Sequence, residues 1–132
     1  MPSQPSLTIS GNLTADPELR YTPQGQAVAT LTVASSTRYQ DRSGQWRDGD
    51  TVFLRCVAWR ELAEHIADSL TRGTRVLVTG RLRQRTYDTP QGERVTATEL
   101  TADEAGPSLQ FATAQVTKAT RHAPDAATER TA

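Results

Sequence analysis

The chain has 132 residues and a mass of 14.4 kDa, enough for one domain with a single core. Fifteen Lys and Arg balance fifteen Asp and Glu, and the sequence pI is about 6.7, which excludes a globally basic nucleic-acid binder but not a local basic face. One cysteine and two histidines, His65 and His122, exclude an intrachain disulfide and a Cys/His metal cluster. Neither an apolar run of about 18 residues nor a basic-then-apolar leader occurs, so the chain reads as soluble and cytosolic.

Residues 1–6 carry two prolines and two serines and read as a flexible N-terminus. Residues 7–13, LTISGNL, alternate apolar and polar, as a strand with a glycine at a bulge or close approach. DPELRYTPQGQA follows as turn and loop. Residues 27–36, AVATLTVASS, predict a half-buried strand. Residues 39–50 are polar, hold Gly44, Trp46 and Gly49, and predict a long hairpin loop.

Residues 51–59, TVFLRCVAW, give the strongest strand signal. The period then changes: Leu62, Ala63, Ile66, Ala67 and Leu70 predict an amphipathic helix of about ten residues. Glu61 and Glu64 near its start and Arg72 near its end suit the helix dipole, and Gly73 suits its C-cap. Residues 74–87 return to period two, DTPQGE is a second hairpin loop, and residues 94–103 are another strand. SLQFA offers a short final strand. Residues 112–132, with seven Ala, five Thr and one large apolar residue, predict a disordered tail.

The fold expectation is all-β: a five-stranded barrel with one short helix between the third and fourth strands and long hairpin loops. That is the OB-fold order. The folded domain spans residues 7–111.

Alternation gives two strands chemical faces. On residues 51–59, Val52, Leu54, Cys56 and Ala58 form an apolar face, and Phe53, Arg55, Val57 and Trp59 the other. On residues 74–87, Val76, Val78, Gly80 and Leu82 face the core, while Arg81, Arg83, Arg85 and Tyr87 face outward. Spaced arginines neutralise phosphates and release counterions. Exposed rings stack on unpaired bases, worth about 1–3 kcal/mol per base. The same arginine pattern also fits a solvated or edge-blocking strand face. The acidic residues read as lying elsewhere: Glu61, Glu64 and Asp68 on the helix, and Glu99, Asp103 and Glu104 late in the last strand. Trp46 either reaches over a bound strand or packs its loop down.

The segments GNLTADPELRYTPQGQAVATLTVASSTRY and FLRCVAWRELAEHIADSLTRGTRVLVTGRLRQRTYDTPQGER resemble the bacterial single-stranded DNA-binding proteins of the homotetrameric type, over residues 5–111. The resemblance implies sequence-independent binding of single-stranded DNA in replication, recombination, repair or a specialised process such as uptake or segregation. It also implies a dimer of dimers in the cytoplasm, associated with the nucleoid. It places stacking rings at Tyr39, Phe53, Trp59 and Tyr87, and matches Arg55, Arg83 and Arg85 to basic positions. Arg81 joins them from alternation alone. Tryptophan stands in enteric relatives at the positions of Tyr39, Phe53 and Tyr87. The sequence ends ATERTA where such proteins carry an acidic, Phe-terminated tip, so a short-tailed paralogue without recruitment through that tip is the expectation.

Cys56 reads as a buried apolar residue, with an intersubunit disulfide as a minority alternative. No phosphate-binding glycine loop, metal motif or nucleophile-base pair is present, so neither an enzyme nor a cofactor is expected. The alternatives are an oligomeric OB-fold interaction module of replication restart with weak DNA binding, and a single-stranded RNA binder.

Overall fold

The structure, a computed structural model, describes residues 4–120. Six strands and one helix occur in the order β1 (Ser6–Leu13), β2 (Glu18–Tyr21), β3 (Ala27–Gln40), β4 (Trp46–Trp59), α1 (Arg60–Ser69), β5 (Arg75–Asp88) and β6 (Arg94–Pro107). Strand neighbours run β1-β5-β6-β4-β3-β2, and a further β1–β3 pairing closes β1, β5, β6, β4 and β3 into a ring. This is the expected five-stranded barrel with its single helix, and β2 is an addition on the open edge of β3. All pairings are antiparallel except β4–β6, a parallel seam of three pairs: Arg55–Glu99, Cys56–Leu100 and Val57–Thr101.

The core follows from alternation. Leu31 and Val33 of β3, Leu54, Cys56 and Ala58 of β4, Val76 and Val78 of β5 and Leu100 of β6 fill the barrel. Ala63, Ile66 and Leu70 complete the cluster from the amphipathic segment that includes α1. Glycines allow two close approaches. A methyl on Gly11 would run into the Ala34 carbonyl where β1 meets β3, and one on Gly80 into the Thr101 carbonyl at the β5–β6 bulge.

The long loop expected at residues 39–50 is instead largely a strand-paired arm, whereas DTPQGE coincides with the β5–β6 turn. β3 continues to Gln40 and β4 begins at Trp46, so the turn is five residues long. Three hairpin turns share one design. Thr22, Asp41 and Thr89 each accept the glycine N–H three residues on at the backbone oxygen and the N–H four residues on at a side-chain oxygen, and donate their own N–H to the carbonyl of that fourth residue. The intervening Gly25, Gly44 and Gly92 sit near φ +86°, a region glycine enters freely. Local hydrogen bonds thus fix the conformation of these polar, glycine-containing turns.

Several expectations change. β2 forms where turn chemistry predicted loop, because pairing to β3 outweighs the flanking prolines. Ser6 lies in β1 and the Pro5 carbonyl accepts the Leu82 N–H, so these two residues belong to the sheet. Gly73 does not cap α1: the helix ends with the Leu70 N–H on the Ile66 carbonyl. Gly73, at φ +86°, lies in the following turn and donates its N–H to Leu13. The last turn of α1 carries no basic residue, and the Arg72 N–H is held by Asp16.

Val52 is exposed rather than part of the core, because β4 has left the barrel at that point. β6 runs to Pro107, and SLQFA adds no strand. Residues 112–120 are exposed and without regular structure; the remainder of the expected tail lies outside the described residues. Cys56 is 0 % exposed inside the barrel, and burial pushes its thiol pKa up to about 12. Burial inside the barrel keeps its sulfur from a surface where a second copy could meet it, which argues against the intersubunit disulfide.

Candidate nucleic-acid interface

The outer face of the parallel seam carries the site. Cross-strand registers set Arg55 of β4, Glu99 of β6 and Arg83 of β5 in one row, and Val57, Thr101 and Arg81 in the next. Further along, Arg20 of β2, Val28 of β3 and Trp59 of β4 align. Val28 is 3 % exposed yet outside the core cluster, so its burial comes from the groove side. These rows line an open groove of about 250 Å³ that holds Arg20, Thr22, Arg55, Trp59, Arg83, Arg85 and Glu99.

Charge in the groove is mixed. Arg85 donates to Glu99 at 3.0 Å, Arg55 lies 3.5 Å from the same carboxylate, and Arg81 donates to Asp103 at 2.9 Å. Arg20 and Arg83 make no ion pair among the described residues. The groove lining holds four arginines, Arg20, Arg55, Arg83 and Arg85, against one carboxylate, Glu99, which leaves three net positive charges there in a chain whose overall charge is zero. A local field of that sign draws polyanions whatever the net charge.

The rings are spread along the groove and out onto the arms. Trp59 is 40 % exposed in the groove, and Phe53, two positions beyond Arg55 on the same strand face, is 66 % exposed. Tyr87 stands near the far end of β5, its ring 5.6 Å from the Arg85 guanidinium. On the β3–β4 arm, Tyr39 is opposite Arg47, while Arg38 is opposite Asp48 and Gln40 opposite Trp46. Alternation therefore puts Tyr39 and Trp46 on opposite faces of the arm. The Arg38 guanidinium lies 5.9 Å from the Trp46 ring, an arrangement that presents the indole on the arm surface instead of folding it into the core.

The structure thus gathers Trp59, Arg55, Arg83 and Arg85 in one groove, sets Arg81 beside it, and strings Phe53, Tyr87, Tyr39 and Trp46 outward. Arg20 and Thr22 were not anticipated, because they come from β2, a strand the sequence did not disclose, and from the turn that follows it. Glu99 and Asp103 do not lie away from the arginines; both pair with them. Alternation on residues 94–103 does place Glu99 and Thr101 on one face, but the parallel pairing that carries them to Arg55 has no local signature.

A five-stranded ring closed by one parallel seam, with one helix between β4 and β5 and a polar, aromatic groove on its outer face, is an OB-fold barrel. The model of the single-strand binding protein family matches residues 5–111. A single-stranded DNA-binding protein of Mycolicibacterium smegmatis is 59 % identical over 122 residues, 92 % of this chain and 74 % of the relative. One from Paenarthrobacter aurescens is 54 % identical over 123 residues, again 92 % of this chain and 72 % of the relative. Among solved structures, the small single-stranded DNA-binding protein from Streptomyces coelicolor superposes with a TM-score of 0.70 at 33 % identity, covering 80 % of this chain and 95 % of that one. The chain belongs to the single-strand binding protein family.

Proposed function

We propose that this chain binds single-stranded DNA without requiring a particular sequence, and that it performs no catalysis. The observation that carries the reading is Trp59, half-exposed in a groove beside Arg83, which makes no ion pair among the described residues, and the Arg55–Glu99–Arg85 cluster. Bases stack on Trp59 in the groove and on Phe53, Tyr87, Tyr39 and Trp46 strung outward from it. Arg55, Arg81, Arg83 and Arg85, joined by Arg20, take phosphates. Arms of paired strand extend the ring surface beyond the barrel, and a flexible polymer can follow them where a rigid duplex cannot.

The assembly is a homotetramer. One edge of β1 over residues 6–11 has no backbone partner among the described residues, and Leu7 and Leu77 are exposed on the same pair of strands. Such an edge accepts a second copy. The site of action is the cytoplasm and nucleoid, in replication, recombination, repair or a specialised process such as uptake or segregation.

Tryptophan fluorescence titrated with oligo(dT), oligo(rU) and duplex DNA, at low and high salt, tests the function. Strong quenching by oligo(dT), a weak duplex response and partial reversal by salt are expected. Trp59→Ala weakens binding while the oligomer, measured by light scattering, stays intact. No quenching and no retention of oligo(dT) overturns the reading in favour of an interaction module. Stronger binding of oligo(rU) moves the ligand to RNA.

A further inference from the structure

Two consecutive residues where β4 passes into α1 break the rules of local structure. Trp59 is the N-cap and makes no side-chain cap hydrogen bond, where Ser, Thr, Asp or Asn would satisfy a free helix N–H. Arg60 has φ +64°, and every other residue with positive φ among those described is a glycine: Gly25, Gly44, Gly73 and Gly92. A left-handed backbone is costly for a residue with a side chain, and a positive charge is misplaced at a helix N-terminus. Residues that break local rules concentrate at functional sites. Trp59 has its reason in the groove it lines. No contact among the described residues supplies one for Arg60. Its guanidinium forms no ion pair and no ring contact among them. Glu64, four residues on, is its natural helical partner, but the Tyr21 hydroxyl donates to that carboxylate at 3.1 Å instead. Arg60 is exposed, so its charge is presented to whatever passes the end of the groove.

We infer that Arg60 is a phosphate contact at the end of the groove, next to the base stacked on Trp59. The inference rests on the single-stranded DNA reading of the groove and extends its charged track past the lining residues. Adjacent Cα atoms are about 3.8 Å apart, well within the length of an arginine side chain, so Arg60 reaches a phosphate that flanks a base on Trp59. Arg20 stands in the same cross-strand row as Trp59 and holds the strand on the β2 side of that ring; Arg60 holds it on the α1 side. Past Arg60 the exposed residues of α1 include Glu61, Glu64 and Asp68. These acids repel a polyanion, so the track ends at Arg60 and the strand leaves the protomer there. Glycine would relieve the backbone but has no guanidinium, and the strained residue is kept for its charge.

The test measures log K against log salt for (dT)12 by anisotropy, in wild type, Arg60→Gly, Arg60→Asn and Arg60→Lys. Glycine and asparagine accept the left-handed backbone and lack the charge; lysine keeps the charge. Arg60→Gly and Arg60→Asn are expected to melt no lower than wild type, yet to bind about fivefold more weakly at about 0.1 M salt, with a slope shallower by about 0.7, the share of one phosphate. Arg60→Lys is expected to keep the wild-type slope. Tryptophan quenching at saturation is expected to be the same in all four chains, because the stacking ring is untouched. An unchanged slope in both Arg60→Gly and Arg60→Asn overturns the inference. Weaker binding at that unchanged slope, with reduced quenching, would assign the residue to holding Trp59 through its backbone. Failure of wild type to bind (dT)12 at all is a different result, and removes the underlying reading of the groove.

Discussion

Replacing Arg83 by glutamine removes a groove arginine without an ion-pair partner among the described residues, and its effect on salt dependence follows from the charge count. Three net positive charges line the groove, from four arginines and one carboxylate. Each phosphate neutralised on a single strand contributes about 0.7 to the slope of log K against log salt. One occupied groove therefore gives a slope of about −2, and raising salt about fivefold weakens binding by roughly 30-fold. In Arg83→Gln the slope falls to about −1.4 and the same salt step costs roughly tenfold. Asp103→Asn acts in the opposite direction: it frees Arg81 from its 2.9 Å partner and steepens the slope by about 0.7. Anisotropy titrations with an oligonucleotide of about eight residues, short enough for one groove, read these slopes directly. Slopes unmoved by both substitutions would refute the assignment of this groove to phosphate contact.

Other outcomes follow from the same geometry. Gly80→Ala drives a methyl into the Thr101 carbonyl, with Ala102 Cα 2.9 Å away in the same strand; a loss of about 3 kcal/mol, read as a Tm lower by roughly 10 °C, is expected, and an unchanged melt would contradict the close approach. Arg60 sits at φ +64° in the first turn of α1, where a left-handed backbone and a positive charge at a helix N-terminus are both unfavourable. Arg60→Gly should gain about 1 kcal/mol in thermal unfolding, and a loss would show that the side chain stabilises the junction. Cys56 should resist iodoacetamide at pH 8 in the native chain and react once the chain is unfolded; native labelling would show the barrel opening. Asp41 accepts from Arg47, Ser43 and Gln45, which holds its carboxyl near a pKa of about 2, below its ordinary 3.8. Its contribution to the turn is present above pH 3.8 and lost as pH falls through about 2. The Ser43 and Gln45 amide resonances should report that midpoint, and a midpoint near 4 would break the assignment.

What could be read in advance was what depends on near neighbours. Alternation exposed Arg81, Arg83 and Arg85 on one strand and buried Cys56 on another, and the change of period at Arg60 marked α1. What depends on pairing across the chain was hidden. Glu99 joins Arg55 through a parallel seam 44 positions away in sequence, which no local pattern announces. β2 exists because β3 offers it an edge, and its own four residues argue weakly for a strand. Val52 follows the apolar alternation faithfully but lies where the strand has passed beyond the barrel. The length of the arms was masked by their polarity, because period-two reading finds half-buried strands and these arms are solvated on both faces.

The parallel seam has one further consequence. Three residue pairs join β4 to β6, and Arg55 and Glu99 belong both to that closure and to the groove above it. A chain in which β4 and β6 have separated has no such groove. A ligand lying across the seam binds the closed barrel alone, so its free energy adds to that of folding, by about 2.7 kcal/mol at a ligand concentration a hundred times Kd. Occupancy and structural integrity are then one equilibrium, and a seam of only three residue pairs is the one such a ligand reinforces.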